Sequence, residues 1–324
     1  MPDEVVFRTK AQIGLELIDR ALGHGVRVKA WTFDEGYGRD TGFLDALEER
    51  GQAYVAEVPT NFHGWVILPR ILQTGPSSGR GRKKKYPRLG SGERSSAVRN
   101  PLRFSPTFHE QKWQCYRVKD TERGPMVCEV KWAVFWRKEA NGLPGRRHCL
   151  IVTRNVLTQE VKYFVSNRVP GDRGVVARVT LRWLLTVAYG RWAVESCFRQ
   201  AKKELGLDHY EVRGWRCVRR HFFLTQLSHL FCARMRRKYD TATTRDEPRL
   251  TMEQVRRAVN CWLEAAGARL TKAESFEREA AKQKYHQSRN NQACKSHTKT
   301  RKALLKSLGI DVDRIKSCPP PSSA

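Results

Sequence analysis

The sequence predicts an α/β protein with a β-rich insertion and a helical C-terminal region, and three observations carry that prediction. Residues 8–58 alternate helix, strand, helix, strand, the order that builds a parallel α/β layer. Residues 111–138 and 148–166 alternate in strand fashion and are rich in Val, Tyr, Trp and Phe. From residue 175 onward the pattern is helical.

Each element has its own signal. In 8–23, Ile13, Leu15, Leu17, Ile18 and Leu22 cluster on one side of a helix, which Gly23 and Gly25 end. VRVKAWTF at 26–33 is β-rich and runs into the turn segment DEGYGRD. Residues 40–50 read as a helix ended by Gly51, with Asp40 as its cap, and AYVAEV at 53–58 is a second strand closed by Pro59. The pattern dissolves from 60 to about 110. There SSGRGRKKKYPR, 77–88, holds six basic residues and no acid, a solvated loop that is also fit to contact phosphates. WQCYRV, VCEVKWAVFW, CLIVT and VKYFV form an antiparallel insertion, broken at the hairpin loop EANGLPGRR. LRWLLTVAYGRWAVESCFRQAKKELG reads as one long amphipathic helix, and HFFLTQLSHLFCARMRR, 221–237, as an apolar helix with a basic end. TMEQVRRAVNCWLEAAG, 251–267, has Thr251 as N-cap and Gln254 at the capping-box position. The tail 280–324 has ten Lys or Arg against two Asp and ends in CPPPSSA, expected to be disordered.

Composition narrows the function classes. The 324 residues carry 61 Lys and Arg against 33 Asp and Glu, a net charge of +28, which points to a polyanionic partner, most often nucleic acid. The 9 Cys include no C-x-x-C pair, which excludes a disulfide scaffold and a zinc ribbon and fits reduced cytosolic thiols. No run of about 18 apolar residues could span a membrane, and the start MPDEVVFRTK is too polar for a signal peptide.

Two carboxylates stand out by position. Asp34 follows the first strand at its carboxyl end, the edge where open α/β sheets hold ligands, although an Asp there is more often a cap or turn residue. Glu195 lies on the long helix, where Arg191, Glu195, Arg199 and Lys202 form one stripe. Such a stripe is ordinarily a solvated salt-bridge face. Here one acid stands among three bases, with Trp192, Val194 and Phe198 around it. A carboxylate with cations nearby suits a Mg²⁺ site that also grips phosphate. His209, Tyr210, Arg213, Trp215 and His221 are expected either to line a nucleic-acid groove or to pack a helix junction. Cys197, Cys217 and Cys232 lack zinc spacing relative to His221 and His229. Trp113, Trp132 and Trp136 are expected in the sheet core.

DEGYG at 34–38, after GVRVKAWTF, resembles the second-aspartate motif of bacterial insertion-sequence transposases. RWAVESCFRQAKKELGLDHYEVRGW at 191–215 resembles their glutamate motif, with Arg191, Glu195 and Lys202 in the family's spacing. The group most similar is insertion-sequence family 701, related to family 4, and the resemblance spans roughly residues 5–237. It implies an RNase H-like fold and DDE chemistry, in which three carboxylates hold two Mg²⁺ (or Mn²⁺) ions for in-line attack at DNA phosphodiesters. Asp34 would be the second carboxylate and Glu195 the third, both metal ligands. DNA contacts are expected from Arg191, Arg199, Lys202, Lys203, His209, Tyr210, Arg213, Lys83, Lys84 and Lys85. The implied partner is duplex DNA at terminal inverted repeats, bound in the bacterial cytoplasm and nucleoid, with a possible homodimer in the DNA complex. Tyr189 stands one residue closer to Arg191 than the family pattern has it, so it takes no role. No first catalytic Asp is found: Asp3 is at the terminus and Asp19 lies within a helix. The chain is therefore expected to begin midway through the domain, as a decayed or split gene or a misplaced start codon would produce, and to be inactive alone. The organisation expected is 1–59 as the second part of the core, 60–172 as the insertion, 173–237 as the glutamate helix with its successor, and 238–324 as a basic tail. The alternative is a non-catalytic, basic nucleic-acid-binding remnant.

Overall fold

A computed structural model describes residues 6–73, 86–121, 123–174, 176–239, 250–267 and 272–318. The chain divides into two compact units: Met1–Thr121 with Pro125–Arg191 and Leu304–Ala324, and Glu122–Gly124 with Trp192–Ala303.

The first unit opens with helix α1 (Lys10–Gly23), started by a reciprocal capping box in which Thr9 and Gln12 each accept from the other's backbone N–H. Strand β1 (Trp31–Phe33) is much shorter than the β-rich run 26–33. Its partner β2 (Tyr54–Val58) offers backbone groups only from Ala53 onward, so pairing begins at Trp31, whose N–H donates to the Ala53 carbonyl. The two strands are parallel, as the alternation requires. Between them lie the single turn α2 (Glu35–Gly38) and α3 (Thr41–Glu49), the latter capped by Asp40 as expected. Gly38 is obligatory there: a Cβ would stand 1.9 Å from the Glu57 carbonyl oxygen.

The described residues between 60 and 110 hold short elements that the sequence did not show. They are β3 (His63–Trp65), β4 (Ile71–Leu72), β5 (Arg88–Leu89) and β6 (Ser96–Ala97), then the turns α4 (Pro101–Phe104) and α5 (Pro106–His109). These pieces are two to four residues long, too short to show a period. Next come β7 (Gln114–Thr121), β8 (Gly124–Lys138), β9 (Pro144–Asn155) and β10 (Val161–Ser166). The β8–β9 loop is tighter than the sequence suggested: Glu139 donates to the Leu143 carbonyl and Gly142 takes φ +80°. Strand β10 pairs antiparallel with both β9 and β2, which joins the insertion to the parallel pair. The main sheet runs β1-β2-β10-β9-β8-β3-β6.

Both faces of that sheet are covered. On one, Ile18, Phe43, Leu44 and Leu47 pack against Tyr54, Ala56, Phe135, Leu150 and Val165. On the other, helix α6 (Leu181–Gly190) lays Trp183, Leu184, Leu185 and Ala188 over Val55, Cys149, Ile151 and Phe164. A polar network ties α3 to the strands. The buried His148 ring faces Glu48 Oε1 at 2.8 Å and the Arg146 carbonyl at 2.7 Å, while Tyr54 donates to the same Glu48 oxygen. Burial pushes the Glu48 carboxyl up, but hydrogen bonds from His148 and Tyr54 and the charges of His148 and Arg137 outweigh it and hold it below its usual value.

The run 181–206 is not one helix. It breaks at Arg191 after Gly190, a poor helix former, and α7 (Trp192–Leu205) follows. With α8 (Trp215–Tyr239), α9 (Met252–Gly267) and most of α10 (Lys272–Ser307), α7 makes the second unit. Cys232, Met252 and Val255 form its small core with Leu205, Met235 and Val259. Arg256 on α9 reaches Glu204 on α7 at 3.3 Å, and Thr251 with Gln254 form the capping box read from the sequence. The C-terminal end of α10 returns to the first unit, where Leu305 packs with Val127, Val156 and Val312. Among the described residues of this region the one strand is β11 (Lys316–Ser317), which pairs with β7. The terminal CPPPSSA lies outside the described residues beyond Cys318.

Candidate functional site

Asp34 stands where β1 ends, still in extended backbone. Its Oδ1 accepts the Tyr37 N–H at 3.3 Å and so caps α2. The cap role and a ligand role are compatible, because the cap engages one of the two carboxylate oxygens. Gly36 sits directly beneath the carboxylate: a Cβ there would lie 3.1 Å from Asp34 Oδ1 and 3.7 Å from Lys10 Nζ. The Lys10 ammonium also lies over the Tyr37 ring, 4.9 Å from its centroid. Lys10, at the start of α1, was not picked out by sequence reasoning.

The strand register adds a second acid. Phe33 is opposite Ala56, which places Asp34 alongside Glu57 at the carboxyl end of the parallel pair. Trp31, Phe33, Tyr54 and Ala56 all pack on the α1–α3 face, so Glu57 belongs to the opposite face. Glu57 Oε1 accepts from Lys162 Nζ on β10 at 2.9 Å. Burial lowers the Lys162 ammonium, but the Glu57 hydrogen bond and the charges of Glu57 and Glu160 raise it above its usual value, against the opposing charge of Arg191. Arg191 thus belongs electrostatically to this first-unit group. The signal for Glu57 was present in the sequence: it is the one acid inside the otherwise apolar strand YVAEV.

Within the second unit, Glu195, Arg199 and Lys202 lie on α7 and are exposed. Arg199 donates to Ser196 Oγ at 3.0 Å and stacks 5.4 Å from the Trp192 ring centroid. Lys203 is exposed beside Lys202. The segment after α7 is shaped by Gly206, at φ +68°, whose N–H donates to the Lys202 carbonyl in a helix-ending turn. His221 Nε2 bonds the Gly206 carbonyl at 2.9 Å, and the Tyr210 ring packs 5.8 Å from the His221 ring. His221 therefore fastens the helix junction, while His209, Tyr210 and Arg213 stay exposed on the loop. Beside them opens a cleft of about 940 Å³ lined by Lys203, His209, His221, Arg256 and Trp262.

Tyr189 is a core residue: its hydroxyl contacts Thr153 Oγ1 at 2.8 Å and Cys128 Sγ at 3.4 Å. Trp113, Trp132 and Trp136 are half-buried on the sheet, with Lys131 and Arg154 both over the Trp113 ring. Lys83, Lys84 and Lys85 lie outside the described residues. Asp19 is engaged by Arg50 at 2.6 and 2.9 Å, on α1 and away from β1's end in sequence. Among the described residues no three His, Cys, Asp or Glu side chains cluster to hold a metal ion, and no helix is long and apolar enough to cross a membrane. A divalent ion at Asp34 would need further oxygen ligands brought to it.

No curated protein matches the chain. Residues 1–125 match the family model described as DDE superfamily endonuclease, a match that includes Asp34, Glu57 and Lys10 and stops before Glu195. That family generally uses divalent metals and acts on DNA, and the mixed sheet with its helical C-terminal region is consistent with an RNase H-like DDE domain. In its first 125 residues the chain is thus similar to a DDE superfamily endonuclease.

Proposed function

We propose that the chain carries a DDE transposase catalytic core, of the insertion-sequence family 701 type, acting on duplex DNA at terminal inverted repeats. The observation that carries this reading is Asp34: a carboxylate at the carboxyl end of β1, inside the segment similar to DDE endonucleases. Asp34 and Glu195 are proposed as two of three carboxylates, with Mg²⁺ or Mn²⁺ supplying charge neutralisation at the phosphodiester when bound. Asp34 is held in place by its cap bond to Tyr37, which leaves its second oxygen for a ligand. Arg191 and Lys202 are proposed to hold DNA-end phosphates, and the loop residues His209, Tyr210 and Arg213 with Arg199, Lys203 and Lys83–Lys85 to contact the duplex.

Among the described residues no third carboxylate is assigned to the metals: Asp19 is engaged by Arg50, and Glu57, alongside Asp34, by Lys162. The proposal is therefore that this chain alone does not cleave. A metal-dependent nicking assay with labelled terminal repeats tests it. The expected result is no product above background; product that survives Glu195→Gln would defeat the site assignment. A second reading, a non-catalytic basic nucleic-acid-binding protein, is favoured by the lack of a metal-holding cluster among the described residues. The two separate when an Asp-bearing strand is supplied upstream: only the first expects cleavage to appear.

A further inference from the structure

Along helix α8, Arg216, Arg220, Phe223, Leu227, Leu230, Arg234 and Arg237 recur at alternating intervals of four and three. That spacing is the heptad repeat, which draws one seam along a helix and presents it to another helix. Every residue of this seam is exposed. Its middle is large and apolar, and both of its ends are arginine. Leu224 and Phe231, also exposed, widen the apolar part on one side. There it runs into the cleft of about 940 Å³, where Leu227 and Phe231 share the lining with Trp262 and Leu263 of α9. Glu204, the one acid lining that cleft among the described residues, is engaged by Arg256 at 3.3 Å. Helix α8 itself holds six Arg, one Lys and no Asp or Glu, so no acid on it balances the ends of the seam. A contiguous apolar strip with a charged border marks a docking surface.

The charges decide what can lie there. Two copies of the seam set parallel would place Arg216 and Arg220 on their own counterparts. Set antiparallel about Leu227, they would place Arg220 against Arg234. Either way arginine meets arginine at both ends, which opposes a second copy of this chain as the occupant. A helix that is apolar at the middle of its seam and carries Asp or Glu at both ends matches every group. Its apolar side chains fill the strip and the cleft, and its carboxylates take the guanidiniums in bidentate hydrogen bonds. The seam from Arg216 to Arg237 runs about 32 Å at roughly 1.5 Å per residue, room for a partner helix of about three heptads.

We propose that the α8 seam, with the α9 wall of its cleft, docks an amphipathic helix of a partner protein whose own seam is apolar at the centre and acidic at both ends. The inference concerns a protein partner and does not rest on the cleavage reading. The test is fluorescence anisotropy of labelled three-heptad helical peptides with the full chain, in EDTA at about 0.15 M salt. One peptide carries Leu at the central seam positions and Glu at the outer ones. A second keeps Leu and replaces Glu by Lys, and a third keeps Glu and replaces Leu by Gln. Only the first should bind. Phe223→Gln with Leu227→Gln, at exposed positions, should weaken it by about tenfold or more. Arg220→Glu with Arg234→Glu should move the preference from the Glu–Leu peptide to the Lys–Leu peptide, which a general attraction of a basic chain for acidic peptides would not do. If circular dichroism shows that the apolar double change disturbs the helix, the charge exchange decides. No binding of the Glu–Leu peptide, equal binding of the Glu–Gln peptide, or an unmoved preference in the charge exchange overturns the proposal. So does a dimer in sedimentation equilibrium, or binding to phosphatidylglycerol vesicles, that Phe223→Gln with Leu227→Gln abolishes: the strip then belongs to a second copy or to a lipid surface. Omitting divalent metal and DNA keeps these outcomes separate from any failure of the cleavage reading.

Discussion

The two units stabilise themselves in different ways. In the first, Leu150, Ile151 and Val152 are three consecutive residues with no solvent exposure, because both faces of the sheet are covered. In the second, the 25 residues of α8 bury only Thr225 and Cys232, while Phe223 and Leu227 are each 63% exposed. Asp34 therefore stands on a closely packed frame. Glu195 stands on a helix whose own unit has a core of a few side chains. Candidate residues placed on the first frame need no further partner to be positioned, whereas those on α7 depend on a lightly held scaffold.

The comparison can be broken most directly through the cores. Leu150→Ala or Phe135→Ala, at fully buried positions, should cost about 2–5 kcal/mol by urea unfolding. Leu227→Ala on α8 should stay within about 0.5 kcal/mol. Equal costs at the two sites would contradict the division.

The next effect belongs to the Glu48 network. Glu48→Gln leaves His148 without a carboxylate partner and should cost about 1–3 kcal/mol. Because folding lowers the Glu48 carboxyl below its ordinary 4.5, this contribution is present above that value and is lost as pH falls below it. Thermal unfolding from about pH 6 to about pH 3 should show an acid loss of stability that Glu48→Gln flattens. A Tm that falls identically in both proteins would exclude the network as the cause.

The smallest expected effect sharpens the description of the helical unit. Thr251→Ala removes the side-chain half of the α9 capping box and should cost about 1 kcal/mol, read as a drop in helical signal in the unit's own transition. Thr9→Ala should cost the first unit a similar amount through α1.

What the sequence made legible was local. The helices at α1, α3 and α9, strand β2, and the caps at Asp40 and Thr251 are each set by residues close to one another in sequence. What stayed hidden depends on distant partners. The length of β1 is decided by where β2 begins, and the joining of the insertion to the parallel pair by the β10–β2 register. The break at Arg191 was masked because Gly190 interrupts an amphipathic pattern that reads evenly across it. Within the candidate site, Asp34 was legible from its place after a strand. Glu57 and Lys10 were not, since the strand register places Glu57 alongside it and the start of α1 brings Lys10 to the same glycine, Gly36.

The central claim is that Asp34 and Glu195 are two of three carboxylates in a DNA-cleaving core. Its most direct test is a nicking assay on labelled terminal repeats with a form of the protein extended upstream by an Asp-bearing strand. The extended protein should cleave in Mg²⁺, and Asp34→Asn or Glu195→Gln should each abolish product while leaving duplex binding within about twofold. Lys202→Ala should weaken binding and cleavage together. Cleavage by the extended protein that persists in Asp34→Asn, or none from the extended wild type, would contradict the account.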